Sequence, residues 1–198
     1  MKVMSDQSEE TSLNLEEFAS QKIIPEALNR EVLTALSYYP ELKDTRIRFV
    51  FKENIKKSFM QAQPIIKSMF SGKVNREYVI FISRFFKIGN EKIFIHNIPF
   101  DVVVGWIGHE LGHVMDYKNR GLLRMIKFGI GYLISKSYVI GAERVADTFA
   151  IEHGLADKII ATKNYILNHA DLPEKYKNKI RKFYMAPEEV MMIVQSKS

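Results

Sequence analysis

His109 and His113 stand four residues apart with Glu110 beside the first, giving the pattern H-E-x-x-H. In a helix this spacing stacks the two imidazoles on one face, one above the other. Two neutral imidazoles so placed can ligate zinc and leave positions for a third protein ligand and a water. Glu110 is then positioned to take a proton from that water. The plain alternative is a helix with two solvated histidines, or core histidines bonded to backbone. The setting argues against solvation, because Val102, Val103, Trp106, Ile107, Leu111, Val114 and Met115 make the stretch strongly apolar. A carboxylate such as Glu110 is costly to bury there without a partner.

A zinc site needs a third ligand. Asp116 and Asn119 stand where the longer pattern H-E-x-x-H-x-x-G-x-x-H requires Gly and His, so that pattern is excluded. The better candidate lies in GAERVADTFAIEHG, residues 141–154. Glu143 and Asp147 are four apart and share a helix face. Glu143 could complete a His-His-Glu set, and Asp147 could accept the second ring N–H of a ligating histidine. A lone E-x-x-x-D is ordinarily a solvated helix face; this one lies in a helix otherwise rich in Val, Ala, Phe and Ile. Small residues add a second hint. Gly108 and Gly112 on the first helix, and Ala142, Ala146 and Ala150 on the second, recur every four residues. Glycine inside a helix costs about 0.5–1 kcal/mol relative to alanine, so the pair predicts two helices in close approach, carrying Glu143 to the metal.

HELGH followed by E-x-x-A-D resembles the gluzincin-type zinc metallopeptidases, and this short chain is most similar to the minigluzincins and to the soluble core of HtpX-type peptidases. The resemblance is tight over 101–121 and 141–154 and extends less closely over 45–100. It implies an α+β, zincin-like domain: a small twisted mixed sheet above the H-E-x-x-H helix, with a mostly helical lower half. It implies one Zn2+ per chain on His109, His113 and Glu143, Glu110 as general base and acid, and Asp147 behind a ligating histidine. The activity implied is endopeptidase cleavage of extended peptide or protein substrates. In this family the strand before the metal helix is the sheet edge that pairs with substrate, a position that Lys92, Ile93, Phe94, Ile95, His96 and Asn97 would occupy. Larger gluzincins polarise the scissile carbonyl with a downstream His, Tyr or Arg; no motif fixes that residue here, and His169 and Tyr138 are the residues considered. Some minigluzincins are latent through a C-terminal segment, a role Met191 to Val194 could play, although a helix docked on the core is the favoured reading. Two other readings stay open: a latent or inactive zincin serving as a zinc-containing binding module, and a membrane-surface protein.

The elements that must position these residues are partly legible. Asp101 after Pro99 is expected to cap the metal helix and Gly121 to end it. Leu28, Val32, Leu36 and Tyr39 predict a scaffold helix over 25–39. Alternation predicts strands over 45–52, 78–86 and 92–98, the last two joined by a Gly89-Asn90 turn. Residues 53–76, interrupted by Pro64 and Gly72, are ambiguous between helix and strand pieces. Residues 122–140 are apolar but carry Arg124, Lys127 and Lys136, which excludes a membrane-spanning helix. A core helix plus a loop over the cleft is favoured there, with an amphipathic segment lying on lipid as the alternative. Helices are expected over 157–169, from Leu172 to Phe183, and near 187–195. A polar tail over 1–12 precedes a capping-box pattern at Asn14 and Glu17, a zincin-like domain over 13–170, and C-terminal helices over 171–198 packed on it.

The chain of 198 residues, 46% hydrophobic and 12% aromatic, is long enough for one domain with a real core. With no cysteine, any metal must be held by His and carboxylates, and no disulfide is formed. The net charge of +6 fits a lysine-rich surface, and no aromatic–basic pattern of nucleic-acid binding appears. The N-terminus shows no apolar leader segment. The expectation is a cytoplasmic protein, with membrane association through 122–140 kept open.

Overall fold

The chain is organised around α2, Phe100–Asn119, which a computed structural model of the protein buries along nearly its whole length. The structure describes residues 15–53, 55, 58–88, 91–169 and 172–196. The tail over 1–12, the capping residue Asn14 and the Gly89-Asn90 turn lie outside them. Pro99, not Asp101, stands at the N-cap: its carbonyl accepts from Val102 and Val103 N–H at 3.0 and 3.2 Å. Asp101 falls in the first turn, where its charge favours the positive helix end, and its carboxylate meets Lys158 Nζ at 3.0 Å. At the other end the helix stops before Gly121. The buried Arg76 guanidinium donates to the Arg120 carbonyl at 2.6 Å and to Tyr117 O at 3.4 Å, satisfying acceptors that the helix end leaves open.

On one side of α2 lies a four-stranded mixed sheet in the order β1-β2-β4-β3. Here β1 is Lys22–Ile23, β2 Arg46–Lys52, β3 Met60–Pro64 and β4 Glu77–Ser83. The first two pairings are parallel, and β3 runs antiparallel to β4 as an edge strand. Alternation works as expected in β2, where Ile47 and Phe49 are buried and Arg46 and Arg48 exposed. The α1 helix, Asn29–Ser37, buries Val32, Leu33 and Leu36 in the same core. The strand expected over 78–86 divides at Arg84. Its second part, β5 (Phe85–Ile88), pairs with β6 (Glu91–Phe94) as a separate antiparallel hairpin.

On the other side α2 packs against α4 (Lys136–Glu152) and α5 (Ala156–Asn168). Between them in sequence, α3 spans Leu122–Ile134. No loop covers the cleft here, contrary to the favoured reading of 122–140: Ser135 ends α3 and caps α4, accepting from Tyr138 N–H at 3.4 Å. Gly154, at a φ of 86°, turns the chain after α4, and Leu155 N–H reaches back to Ala150 O at 2.9 Å. The turn drives the fully buried Leu155 against Gly108. Then α6 (Glu174–Phe183) and α7 (Pro187–Gln195) close the helical half. The architecture is α+β with a small four-stranded mixed sheet. Among the described residues no helix is long and apolar enough to cross a membrane.

Candidate metal centre

Three small residues on one side of α2 decide how closely the other helices approach. A Cβ added at Gly112 would fall well inside 3.0 Å of the Ala146 carbonyl oxygen, a separation side chains do not tolerate. The expected Gly112–Ala146 approach of α2 and α4 is therefore present. Gly108 differs from expectation: it faces Leu155, whose Cδ1 would lie 2.6 Å from an added Cβ, and no alanine of α4. Gly105, not singled out in the sequence, makes a similar close approach to the Lys158 carbonyl and Thr162 of α5.

That approach brings Glu143 of α4 onto the imidazoles of α2. Its Oε2 lies 3.0 Å from His109 Nε2 and 3.4 Å from His113 Nε2. One ligand atom from each of His109, His113 and Glu143 falls within 4.8 Å of the others, and all three residues are buried. This group could hold a metal ion. On the far side of His109, Nδ1 lies 2.9 Å from Asp147 Oδ1. The second oxygen of Asp147 accepts from Lys163 Nζ at 2.8 Å and from Met185 N–H at 3.1 Å. Tyr132 of α3 donates to the other Glu143 oxygen, Oε1, at 3.2 Å. His113 has fewer supports: its Nδ1 is buried without a partner among the described residues, and its ring stacks on Tyr117 at 6.0 Å.

The electrostatics fit a cation at this point. Burial by itself would raise the Asp147 pKa, but the Lys163 charge and the His109 hydrogen bond pull it below the usual range. Asp147 is thus an ionised acceptor, and His109 must carry its hydrogen on Nδ1. In neutral His109 the Nε2 lone pair then faces Glu143 Oε2 directly, which is repulsive unless a proton or a cation lies between them. With a proton there, hydrogen bonds to Asp147 and Glu143 overcome the opposing effect of burial and hold the His109 pKa up at about 10. Burial would likewise raise Glu143, yet the charge of His113 and hydrogen bonds from both imidazoles pull it well below the usual carboxylate range. Two imidazole lone pairs and one carboxylate converging on one point form a donor set for a borderline cation such as Zn2+.

Glu110 faces the other way, toward the sheet. Its Oε2 accepts from Ala62 N–H at 2.6 Å, and burial pushes its pKa up despite the charges of His113 and His109. Ala62 lies on the unpaired side of β3. Phe59 O and Ile65 N bond to β4 (2.9 and 2.8 Å), so Met60, Ala62 and Pro64 direct their backbone groups outward. The Ala62 carbonyl accepts from Tyr117 Oη at 3.5 Å. The sheet edge beside the site is therefore β3. Lys92, Ile93 and Phe94 belong to β6, and Ile95, His96 and Asn97 form a 3-10 turn leading into α2. The expected place of 92–97 on the sheet edge is corrected: Lys92–Phe94 pair with β5, braced by the Phe85–Phe94 ring contact at 6.3 Å, Ile95 N–H donates to Arg84 O at 3.1 Å, and the segment takes no place in the four-stranded sheet.

The centre is roofed. A cavity of about 40 Å³ next to His109 and Glu110 is walled by Phe59, Trp106, Tyr176, Ile180 and Tyr184, room for a few waters. The Tyr184 ring centroid lies 5.3 Å from that of His109. The Met191 and Met192 side chains are exposed, while Val190 anchors α7 in the core and Arg144 pairs with Glu189. The cover thus comes from α6 and the turn after it, not from the Met191–Val194 run. His169 packs on Tyr165, and Tyr138 lies against Gly131, and neither lines the cavity. Sequence reasoning missed Lys163, Tyr132, Tyr176, Tyr184 and Ala62. One signal was available: Lys163 falls on the apolar stripe of α5 between Ile159 and Ile166, where a lysine needs a buried partner.

Compared with known proteins, the chain matches no family model, no curated protein and no solved structure.

Proposed function

We propose that this chain is a zinc-dependent endopeptidase of the gluzincin type, in a zincin-like domain, acting on extended polypeptides. The observation that carries the reading is the position of Glu110: a buried carboxyl of raised pKa, beside a buried His-His-Glu group, hydrogen-bonded to the free edge of a sheet. His109, His113 and Glu143 would hold the ion. When bound, zinc supplies Lewis acidity toward a carbonyl oxygen and toward water. Glu110 takes a proton from the attacking water and returns it to the leaving amine, and a raised pKa suits a group that must do both. Asp147 keeps the His109 hydrogen on Nδ1, and Lys163 with the Met185 N–H keeps Asp147 ionised and in place. An extended peptide would add to β3, exchanging its own backbone for Glu110 and Tyr117 at Ala62.

A second reading, a zinc-containing binding module without turnover, is favoured by the roof. Each of His109, Glu110, His113 and Glu143 is at most 7% exposed, so peptide entry requires α6 and Tyr184 to move. A peptide-library digest read by mass spectrometry, comparing wild type with Glu110→Gln, separates the two. The enzyme reading expects cuts by wild type only. Stoichiometric zinc with no cuts from wild type would leave the binding module.

A further inference from the structure

Among the described residues nothing covers the outer face of α3, and its composition is unusual for a surface. Its inner face buries Met125, Phe128 and Gly131 and sends Tyr132 to Glu143. The solvent side carries Leu123, Ile126, Ile130, Leu133 and Ile134, exposed by 81, 52, 56, 85 and 80%. At 3.6 residues per turn these five fall within an arc of roughly 100°, so they form one continuous aliphatic stripe. Scattered apolar residues on a surface need no explanation, whereas a contiguous stripe marks a contact site.

Charge identifies the kind of contact. Lys127 and Arg124 are exposed along one border of the stripe, and Lys136 is exposed just beyond its end. Between Asp116 and Glu143 the sequence holds five basic residues and no acidic one. A second segment has a similar composition. Arg76 binds the end of α2 immediately before α3, and the 3-10 turns leading to it expose Ile66, Phe70 and Val74 beside Lys67 and Lys73. A second copy of the chain is a poor occupant, because a two-fold contact of this segment with itself would offer Arg124 and Lys127 no acidic partner from the same segment.

We propose that α3 docks this protein on an anionic lipid surface, its aliphatic stripe in the boundary between headgroups and acyl chains and its basic border against lipid phosphates. Membrane affinity of this kind comes from buried apolar area plus attraction of lysine and arginine to anionic headgroups. Docking would place lipid next to the centre, since Tyr132 on the inner face of the same helix contacts Glu143. The proposal does not rest on the peptidase reading.

The test is flotation of the full chain with phosphatidylcholine vesicles, with and without phosphatidylglycerol. Variants are Ile130→Glu, Leu133→Glu and the double charge reversal Arg124→Glu/Lys127→Glu. All four positions are exposed, and circular dichroism checks that the fold is kept. Wild type should float with the anionic vesicles, each variant should bind at least about tenfold more weakly, and raised salt should release wild type. Failure of wild type to float with anionic vesicles at low salt would overturn the proposal. So would flotation that all three variants retain. Concentration-dependent dimerisation abolished by Ile130→Glu, without vesicle binding, would overturn it in favour of a second copy.

Discussion

Replacing Gly112 by alanine perturbs a close backbone contact between α2 and α4. The added Cβ would meet the Ala146 carbonyl, backbone rather than a yielding side chain, and relief requires the helices to part by about 1 Å. Overpacking of this kind costs about 1–3 kcal/mol, and alanine's better helix propensity returns about 1 kcal/mol, leaving a net loss of about 0–2 kcal/mol. The larger effect is on the centre. Glu143 lies one turn before Ala146 on α4, so the displacement carries its carboxylate away from His109 and His113. Metal sites tolerate only a few tenths of an ångström at each ligand, and the expected fall in affinity is about 10–100-fold. Gly105→Ala is the control: it clashes with α5, not α4, and should destabilise comparably while leaving metal affinity within about a factor of three. The assay is zinc competition against a chelator, with thermal melting of both variants. Unchanged affinity in Gly112→Ala, or equal losses in both, would refute the claim that this contact delivers Glu143.

Two further outcomes follow from the surroundings of the centre. Lys163→Met strands the buried Asp147 carboxylate and should cost about 3–5 kcal/mol in urea unfolding; a loss under 1 kcal/mol, on the order of an exposed ion pair, would show the pair is solvated. Deleting 187–198 removes buried Val190, worth about 1.5–3 kcal/mol, yet leaves Tyr176, Ile180 and Tyr184 over the cavity, so the melting temperature should drop without any rise in peptide cleavage. Faster cleavage after that deletion would return α7 to the role of cover.

The parts of the site legible in the sequence are those set by helical period alone. His109 with His113, and Glu143 with Asp147, lie at spacings that fix shared faces, and Gly112 with Ala146 revealed where the two helices meet. What was hidden depends on long-range pairing. Met60–Pro64 reads M-Q-A-Q-P, with no β-branched residue, and becomes a strand only because β4 pairs with it. Lys92–Phe94 pair with the preceding strand as their alternation and the turn suggested, but the hairpin they make stands apart from the four-stranded sheet, and Ile95–Asn97 leave it as a 3-10 turn. The exposed stripe of α3 could not be told from a core stripe, since periodicity shows that a helix has an apolar side and not what covers it. Lys163 reaches the centre from α5 and Tyr184 from the turn after α6, both far along the chain.

The most direct test of the metal centre is the zinc content of the purified chain by mass spectrometry, for wild type, Glu143→Gln and His113→Ala. The account predicts one tightly held ion per wild-type chain, weakened retention in Glu143→Gln and none in His113→Ala. Wild-type protein that takes up no stoichiometric zinc, or variants that hold it as firmly as wild type, would contradict it.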